Sequence, residues 1–308
     1  LLVAISGWLM LFMVTGEQYT VIRWLSYVAP WMAGILLICA MAVLLLRRWW
    51  QGAMVTLLAV LLLLPYMPRF MPSGSANIDA QATHRQVYKV MTYSKMGRNH
   101  DIDAVARAIA AEKPDILFMQ EISSVEAGQL AEHLKQVYGE RLSSVNNHAG
   151  FIFSRFKVEA KNDNTGSAVL ALPEGNVRVW NVHLQKSFRN TDIQYKGVDL
   201  LSDAVAKATG PVLVAGDFNA TTINYPCIVM SQYLDDAFEQ AGFGFGFTFP
   251  SPARRMGLIT PFMRIDHIYY STHFVVQNVY VADDAGGSDH YPVVALLSLK
   301  RHVMSITQ

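Results

Sequence analysis

Two hydrophobic patterns follow one another along the chain. Up to about residue 68 the apolar residues come in long unbroken runs. Beyond about residue 85 they come as short runs and helical stripes divided by polar turns. Residues 28–46 carry no charge, and as a helix they are long enough to cross a hydrocarbon layer of about 30 Å. Arg47, Arg48, Trp49 and Trp50 follow at once, the basic and aromatic signature of a membrane interface. A second apolar run extends from about Gly52 to Met67 and ends in Pro65, Pro68 and Arg69. Residues 1–14 have the character of the remainder of an earlier span, and a chain opening on Leu1 rather than Met suggests a trimmed fragment. The alternatives are a signal peptide or a buried core helix, and a signal peptide would be one short segment with a small-residue cleavage site. About three apolar segments point instead to transmembrane helices. The expected organisation is a transmembrane helical region over 1–68, a linker over 69–84 with the loose stretch Pro72, Ser73, Gly74, Ser75 and Ala76, and a domain over 85–300.

In the second region, residues 86–92 read as a strand, and Ile102, Val105, Ala106 and Ile109 fall at helical spacing up to Pro114. Residues 115–119 form a buried strand pattern. Ser123 and Glu126 make a capping box for a helix carrying Leu130, Leu134 and Val137. Short strands are expected at 151–153, 168–172 and 177–182, then a helix over 192–207 burying Ile193, Leu200, Leu201, Ala204 and Val205. Strands at 212–215, 265–270, 274–280 and 293–297 complete the series. Strands mixed with covering helices imply two packed sheets flanked by helices.

Composition sharpens this division. The chain is 52% hydrophobic and only 16% charged, yet just three of its 25 Lys and Arg and one of its 24 acids lie before Pro68. The remainder is nearly neutral, which gives no sign of the strongly basic surface of a non-specific DNA binder. Cys39 lies in an apolar run and Cys227 is alone in the second region, so no disulfide can form within that domain. Placing Arg47 and Arg48 in a cytoplasmic loop sends the last span outward. The expectation is an integral protein of a bacterial inner membrane with residues 70 onward outside the cytoplasm.

Polar residues gather at strand ends: Gln120 and Glu121, His183, Asp217 and Asn219, Asp289 and His290. Singly, each has an ordinary explanation. Glu121 suits a solvated loop acid, Asp217 a turn, His183 a partly buried histidine and Asp266 an ion-pair partner. Together, carboxylates converging on one edge are what a divalent-metal phosphate site needs, because hard cations take oxygen ligands. In chain order, Met91-Thr92-Tyr93, Gln120-Glu121, Asn181-Val182-His183-Leu184, Gly216-Asp217-Phe218-Asn219, Arg264-Ile265-Asp266-His267 and Ser288-Asp289-His290-Tyr291-Pro292-Val293 resemble the endonuclease/exonuclease/phosphatase (DNase I-like) superfamily over about residues 87–299.

That resemblance implies a four-layered α/β sandwich and metal-assisted hydrolysis of a phosphate ester. It implies Glu121 as principal ligand of Mg²⁺ or Mn²⁺, with Asp289 beside the metal. Asp217 would orient or deprotonate the attacking water, and Asn219 would hold the phosphate or a metal-bound water. His290, held by Asp266, would contact the scissile phosphate, with His183 as the second phosphate-facing histidine. The family usually carries Asn where this chain has Ser94, so Ser94 is the expected third metal contact, through its hydroxyl or a bridging water, with altered metal affinity. Asn99 and Arg264 are assigned to substrate contact. Arg254 and Arg255 are candidates for gripping a second phosphate, and the Phe-Gly stretch at 242–249 either borders the substrate groove or covers the core. Three functions stay open: a phosphodiester or phosphomonoester hydrolase acting on a lipid headgroup at the bilayer, an extracytoplasmic nuclease acting on nucleic acid, and a catalytically silent binding module. No protein partner is implied.

Overall fold

The computed structural model describes residues 2–71, 86–161, 165–186, 191–254 and 261–300. The linker residues 72–76 and Arg255 lie outside them.

Short apolar strands buried on both faces account for the architecture, because each strand feeds two hydrophobic layers at once. In β1 (Tyr88–Ser94), Val90 faces the space between the sheets while Met91 faces the opposite way. Phe118 and its neighbours Leu117 and Met119 divide likewise in β2 (Ile116–Gln120). One six-stranded sheet runs β11 (Phe274–Val281), β12 (Val293–Leu299), β1, β2, β4 (Gly150–Ser154), β3 (Ser143–Asn147). The other runs β5 (Val158–Ala160), β6 (Ser167–Leu172), β7 (Gly175–His183), β8 (Val212–Asp217), β10 (Asp266–Tyr270), β9 (Asp235–Asp236). The sheets pack face to face around Val90, Phe118, Val179, Leu213 and Ala215. Helices α5 (Ile102–Glu112) and α6 (Ser124–Tyr138) cover the first sheet, and α7 (Thr191–Ala206) and α8 (Tyr225–Met230) the second. This is the expected α/β sandwich of two mixed sheets between helical layers.

Local signals set several boundaries. Asp101 caps α5, and the Ser123 and Glu126 capping box forms at the start of α6. Two helix faces differ from expectation. In α7, Ile193 and Leu200 are exposed, while Gln194, Val198, Ser202 and Val205 are buried. The side chain of Gln194 donates to the Phe218 and Asn219 carbonyls at 3.1 Å each, and this tertiary tie sets the rotation of the helix. Val137 at the end of α6 is likewise exposed.

Residues 2–71 form an apolar helical region: α1 (Leu2–Thr15), α2 (Thr20–Tyr27), α3 (Ala29–Leu45) and α4 (Trp49–Leu63), the last continuing as a 3-10 turn to Phe70. Trp49–Phe70 is one helix of 22 residues, long and apolar enough to cross a membrane, whereas α2 and α3 meet at 72° and α1 is shorter. Helix α2 is not foreseen as a separate element. It buries Ile22, Arg23 and Ser26 and exposes Val21 and Trp24. Outside the small core around Ala33, Leu36, Val55 and Ala59, large apolar side chains such as Leu45, Trp50, Met54 and Leu57 face outward.

The helical region docks on one edge of the sandwich. Trp31 donates to the Phe262 carbonyl at 3.1 Å, Arg69 to Glu239 at 2.8 Å, and Glu17 accepts from the Tyr225 amide at 2.9 Å. The Phe-Gly stretch lies in this junction, with Phe245 stacked on Phe247 and against Tyr66 and Phe70, and Phe247 on Trp31. Its described rings therefore pack largely on the helices, and only Phe243 is strongly exposed.

Candidate active site

Three neighbouring strand ends supply the centre of the site. His183 ends β7, Asp217 ends β8 and Asp266 begins β10, and the register places His183 opposite Asp217 and Asp217 opposite Asp266. Adjacent strands lie about 5 Å apart, so these side chains meet as a row. Gly216 lets the strands close up here, since a Cβ on it would lie 1.9 Å from the Val182 carbonyl oxygen. Below the row, a buried polar stitch joins the sheets: Gln120 Nε2 donates to Asn181 Oδ1 at 2.6 Å, and Asn181 Nδ2 to the Met119 carbonyl at 2.8 Å.

Glu121 follows β2 in the left-handed region, φ 56°, a conformation that costs about 1–2 kcal/mol for a residue with a side chain. Its Oε2 accepts the Gly97 N–H at 2.6 Å, and its Oε1 lies 3.6 Å from His183 Nε2. Burial raises its carboxyl, but the Gly97 bond and the charges of His183, Lys186 and His290 outweigh burial and hold it below the ordinary carboxylate range. Asp217 Oδ2 lies 3.7 Å from both His183 Nε2 and His290 Nε2. Its pKa is pushed up, chiefly by burial and further by Asp266.

His290 Nδ1 donates to Asp266 Oδ2 at 2.9 Å. Burial pulls this imidazole down, yet Asp266 and Asp217 outweigh it and raise it to about 9, so it is held as imidazolium at neutral pH. Asp289 pairs with Arg254 at 3.0 Å and lies 3.9 Å from His290 Nε2. A cleft of about 660 Å³ opens above, lined by Glu121, His183 and Asp289 and by three cations, Arg98, Lys186 and Arg254. Arg98 and Lys186 carry no motif, and nothing in their sequence context could have marked them.

The structure gathers Glu121, His183, Asp217, Asp266, Asp289 and His290 as expected from their order in the chain. It gives three further residues surroundings that their motifs did not foretell. Asn219 donates from Nδ2 to the Leu184 carbonyl at 2.9 Å and to Asp217 Oδ2 at 3.2 Å, so its amide nitrogen fixes Asp217. Asn99 is a loop clamp: it donates to the Gly286 carbonyl at 2.9 Å and accepts the Asp101 amide, leaving its ends engaged with backbone. Arg264 is buried in ion pairs with Asp236 and Glu239, away from the cleft.

The donors fit a hard divalent cation. Ligand atoms of Glu121, His183 and Asp217 lie within 4.8 Å of one another, as do those of Asp217, Asp266 and His290. Two buried oxygens at the site, Ser94 Oγ and Asp266 Oδ1, have no hydrogen-bond partner among the described residues. Buried acceptors are rarely left so, and an excess of carboxylate oxygen with free lone pairs is the chemistry of an Mg²⁺ or Mn²⁺ site.

A row of carboxylates and imidazoles at the strand ends of a two-sheet sandwich, below a cation-rimmed cleft, defines a phosphoester-hydrolase type of site. The model of the Endonuclease/Exonuclease/phosphatase family matches residues 74–290, and the chain belongs to that family. Among solved structures, an endonuclease/exonuclease/phosphatase from Bacteroides vulgatus is 17% identical, covers 70% of this chain and all of its own, and superposes with a TM-score of 0.58. A truncated Caenorhabditis elegans TDP2 is 19% identical over 69% of this chain and 97% of the truncated chain, TM-score 0.52. The D. rerio TDP2, in a complex with single-strand DNA product, is 15% identical over 69% of this chain and 99% of its own, TM-score 0.54. At these identities the likeness establishes the fold. No curated protein matches the chain.

Proposed function

We propose that the chain is a membrane-anchored, divalent-metal-dependent phosphoesterase that hydrolyses a phosphodiester or phosphomonoester of a lipid headgroup. In this reading residues 1–68 are the anchor, 69–84 the linker and 85–300 the catalytic domain, which lies outside the cytoplasm at a bacterial inner membrane. One observation carries the lipid reading: the apolar helices dock on the same loop edge that bears the site. Tyr27 touches Asn219, two residues from Asp217, and Trp31 touches Phe262. A cleft held at that edge faces substrates at the bilayer surface, and Arg98, Lys186 and Arg254 at its rim suit an anionic headgroup.

Glu121, Asp289 and the Ser94 hydroxyl would hold Mg²⁺ or Mn²⁺, which when bound supplies Lewis-acid polarisation of a phosphoryl oxygen. Asp217 Oδ2 accepts a proton from the attacking water. His290 presents Nε2–H to the phosphoryl oxygens while Asp266 fixes its tautomer, and His183 orients the phosphate from the other side. The nuclease reading is favoured by one comparison, the DNA-product complex of the D. rerio relative.

The test is turnover by the full chain in vesicles with Mg²⁺, Mn²⁺ or EDTA, on phospholipid, plasmid DNA and p-nitrophenyl esters. Metal-stimulated hydrolysis of lipid, lost in Asp217→Ala, is expected. Plasmid nicking without lipid turnover would replace it with the nuclease, and no turnover at all with the silent module. Labelling a cysteine placed at Ser73, in a Cys39→Ser background, tests the topology: it should react from outside before permeabilisation.

A further inference from the structure

We infer that the helical region is a working part of the active site, with Tyr27 a positioning residue for the turn that carries Asp217. This rests on the hydrolase reading above and adds to it. The Tyr27 hydroxyl donates to the Asn219 carbonyl at 2.6 Å across 192 residues of sequence. Asn219 sits in the left-handed region at φ 48°, a conformation that persists only where surroundings hold it. Its amide N–H and Nδ2 both bind the Asp217 carboxylate, so the orientation of Asp217 follows that of Asn219.

The far end of the same loop is gripped from the same side. Asn224 Oδ1 accepts from the Thr221 amide and hydroxyl, while Asn224 Nδ2 donates to Glu17 and to Ser26 Oγ. The other oxygen of Glu17 accepts the Tyr225 amide at 2.9 Å and the Tyr195 hydroxyl at 3.1 Å. Glu17, Ser26 and Tyr27 all belong to α2 or the turn before it. An inert tether would need none of these bonds. Within the catalytic domain, only Gln194 Nε2 supports the Asn219 carbonyl among the described residues, at 3.1 Å. The position of α2 against the bilayer is thereby coupled to the geometry of Asp217.

The test uses the full chain in vesicles, with Trp50→Ala, at the far end of the helical hairpin, as control. Tyr27→Phe removes one hydroxyl and is expected to lower kcat about tenfold with KM within twofold. In an Asn219→Ala background the same change should cost less than in the wild type, because the Nδ2 bond to Asp217 is already gone and only the backbone N–H still carries the coupling. Amide exchange over residues 217–225, measured by mass spectrometry, should quicken severalfold in Tyr27→Phe and Glu17→Gln and stay unchanged in Trp50→Ala. Unaltered kcat in Tyr27→Phe, or a loss that multiplies independently with Asn219→Ala, overturns the inference. If the wild type hydrolyses nothing, the hydrolase reading fails, and the exchange data decide this one alone: unchanged exchange in both variants sinks it.

Discussion

Two charged clusters flank β10, built from the same residue types and put to opposite ends. On one side Arg264 binds both oxygens of Asp236 at 3.1 and 3.0 Å and also Glu239 at 2.5 Å, while His267 joins Asp236 to the Ala220 carbonyl and Arg69 joins Glu239. Three cationic groups meet two carboxylates there. On the other side four carboxylates, Glu121, Asp217, Asp266 and Asp289, meet two imidazoles and Arg254, and two oxygens find no donor among the described residues. In the first cluster every carboxylate oxygen is paired and the one described side-chain atom left over is a donor, Arg264 Nε, which marks it as structural. Surplus carboxylate oxygen beneath an open cleft is the donor chemistry that suits a hard cation.

This contrast predicts that the clusters fail in different measurements. Asp217→Ala should lower metal-dependent turnover about 10⁴-fold, the upper end for losing a positioned general base. Its melting temperature should change far less than its activity, because relief of the carboxylate's burial offsets the lost attraction to His290 and the lost bonds from Asn219. A collapse of folding along with activity would erase the distinction. Arg264→Met should do the reverse, costing about 3–5 kcal/mol in denaturant unfolding by stranding Asp236 and Glu239, as expected when one partner of a buried pair is removed. An Arg264→Met protein of wild-type stability but without activity would return Arg264 to the substrate.

The sequence could not separate these clusters, for a physical reason. Arg264, Asp266 and His267 stand within four residues, and the ladder that pairs Asp266 with Asp217 starts at Asp266 itself. Asp266 therefore meets the site while His267, one residue on, points to the opposite side. Arg264 precedes the ladder, where alternation gives no guidance. Features set by local chemistry were legible: the Ile102 to Ile109 stripe of α5, the Ser123 and Glu126 box, and the buried runs of β2 and β8. Those set by tertiary contacts were not. The face of α7 is chosen by Gln194, and β3, Ser-Ser-Val-Asn-Asn, is a polar edge strand without an apolar signal. The motif order picked out strand-end acids and imidazoles that lie together, whereas the amide of Asn99 is engaged with backbone.

Smaller effects probe the imidazole in each cluster. Asp266→Asn keeps the shape beside His290 but removes the charge that holds it as imidazolium, and kcat should fall about 10²-fold with KM little changed. An equal rise in KM would mean that Asp266 serves binding instead. His267 lies between two oxygen acceptors, which suits the doubly protonated ring. Burial opposes that charge, but Cys227 and Asp236 outweigh it and raise the imidazole from 6.5 to about 10. The folded state therefore binds the proton more tightly than the unfolded chain. The stability gained is complete below about pH 6.5, declines above it and is gone once the pH passes 10. Melting temperature should fall more steeply between those values in the wild type than in His267→Gln, and parallel curves would show that His267 is neutral.

The smallest effect tests the sharpest part of the comparison, the Ser94 hydroxyl that has no partner among the described residues. This residue ends β1 beside Gln120, fully buried, one strand from Glu121. A buried hydroxyl without a partner costs about 1–3 kcal/mol, so replacing it with a methyl should stabilise the metal-free protein. If the hydroxyl faces the cation directly or through water, Ser94→Ala should also raise the Mg²⁺ concentration for half-maximal rate severalfold. Ser94→Asn, which carries the amide oxygen usual in the family, should lower that concentration about three- to tenfold and leave kcat at saturating metal unchanged. The two substitutions thus move the metal requirement in opposite directions. If both leave it untouched while Ser94→Ala raises the melting temperature, the hydroxyl is a packing defect. The oxygen surplus would then rest on the carboxylates alone.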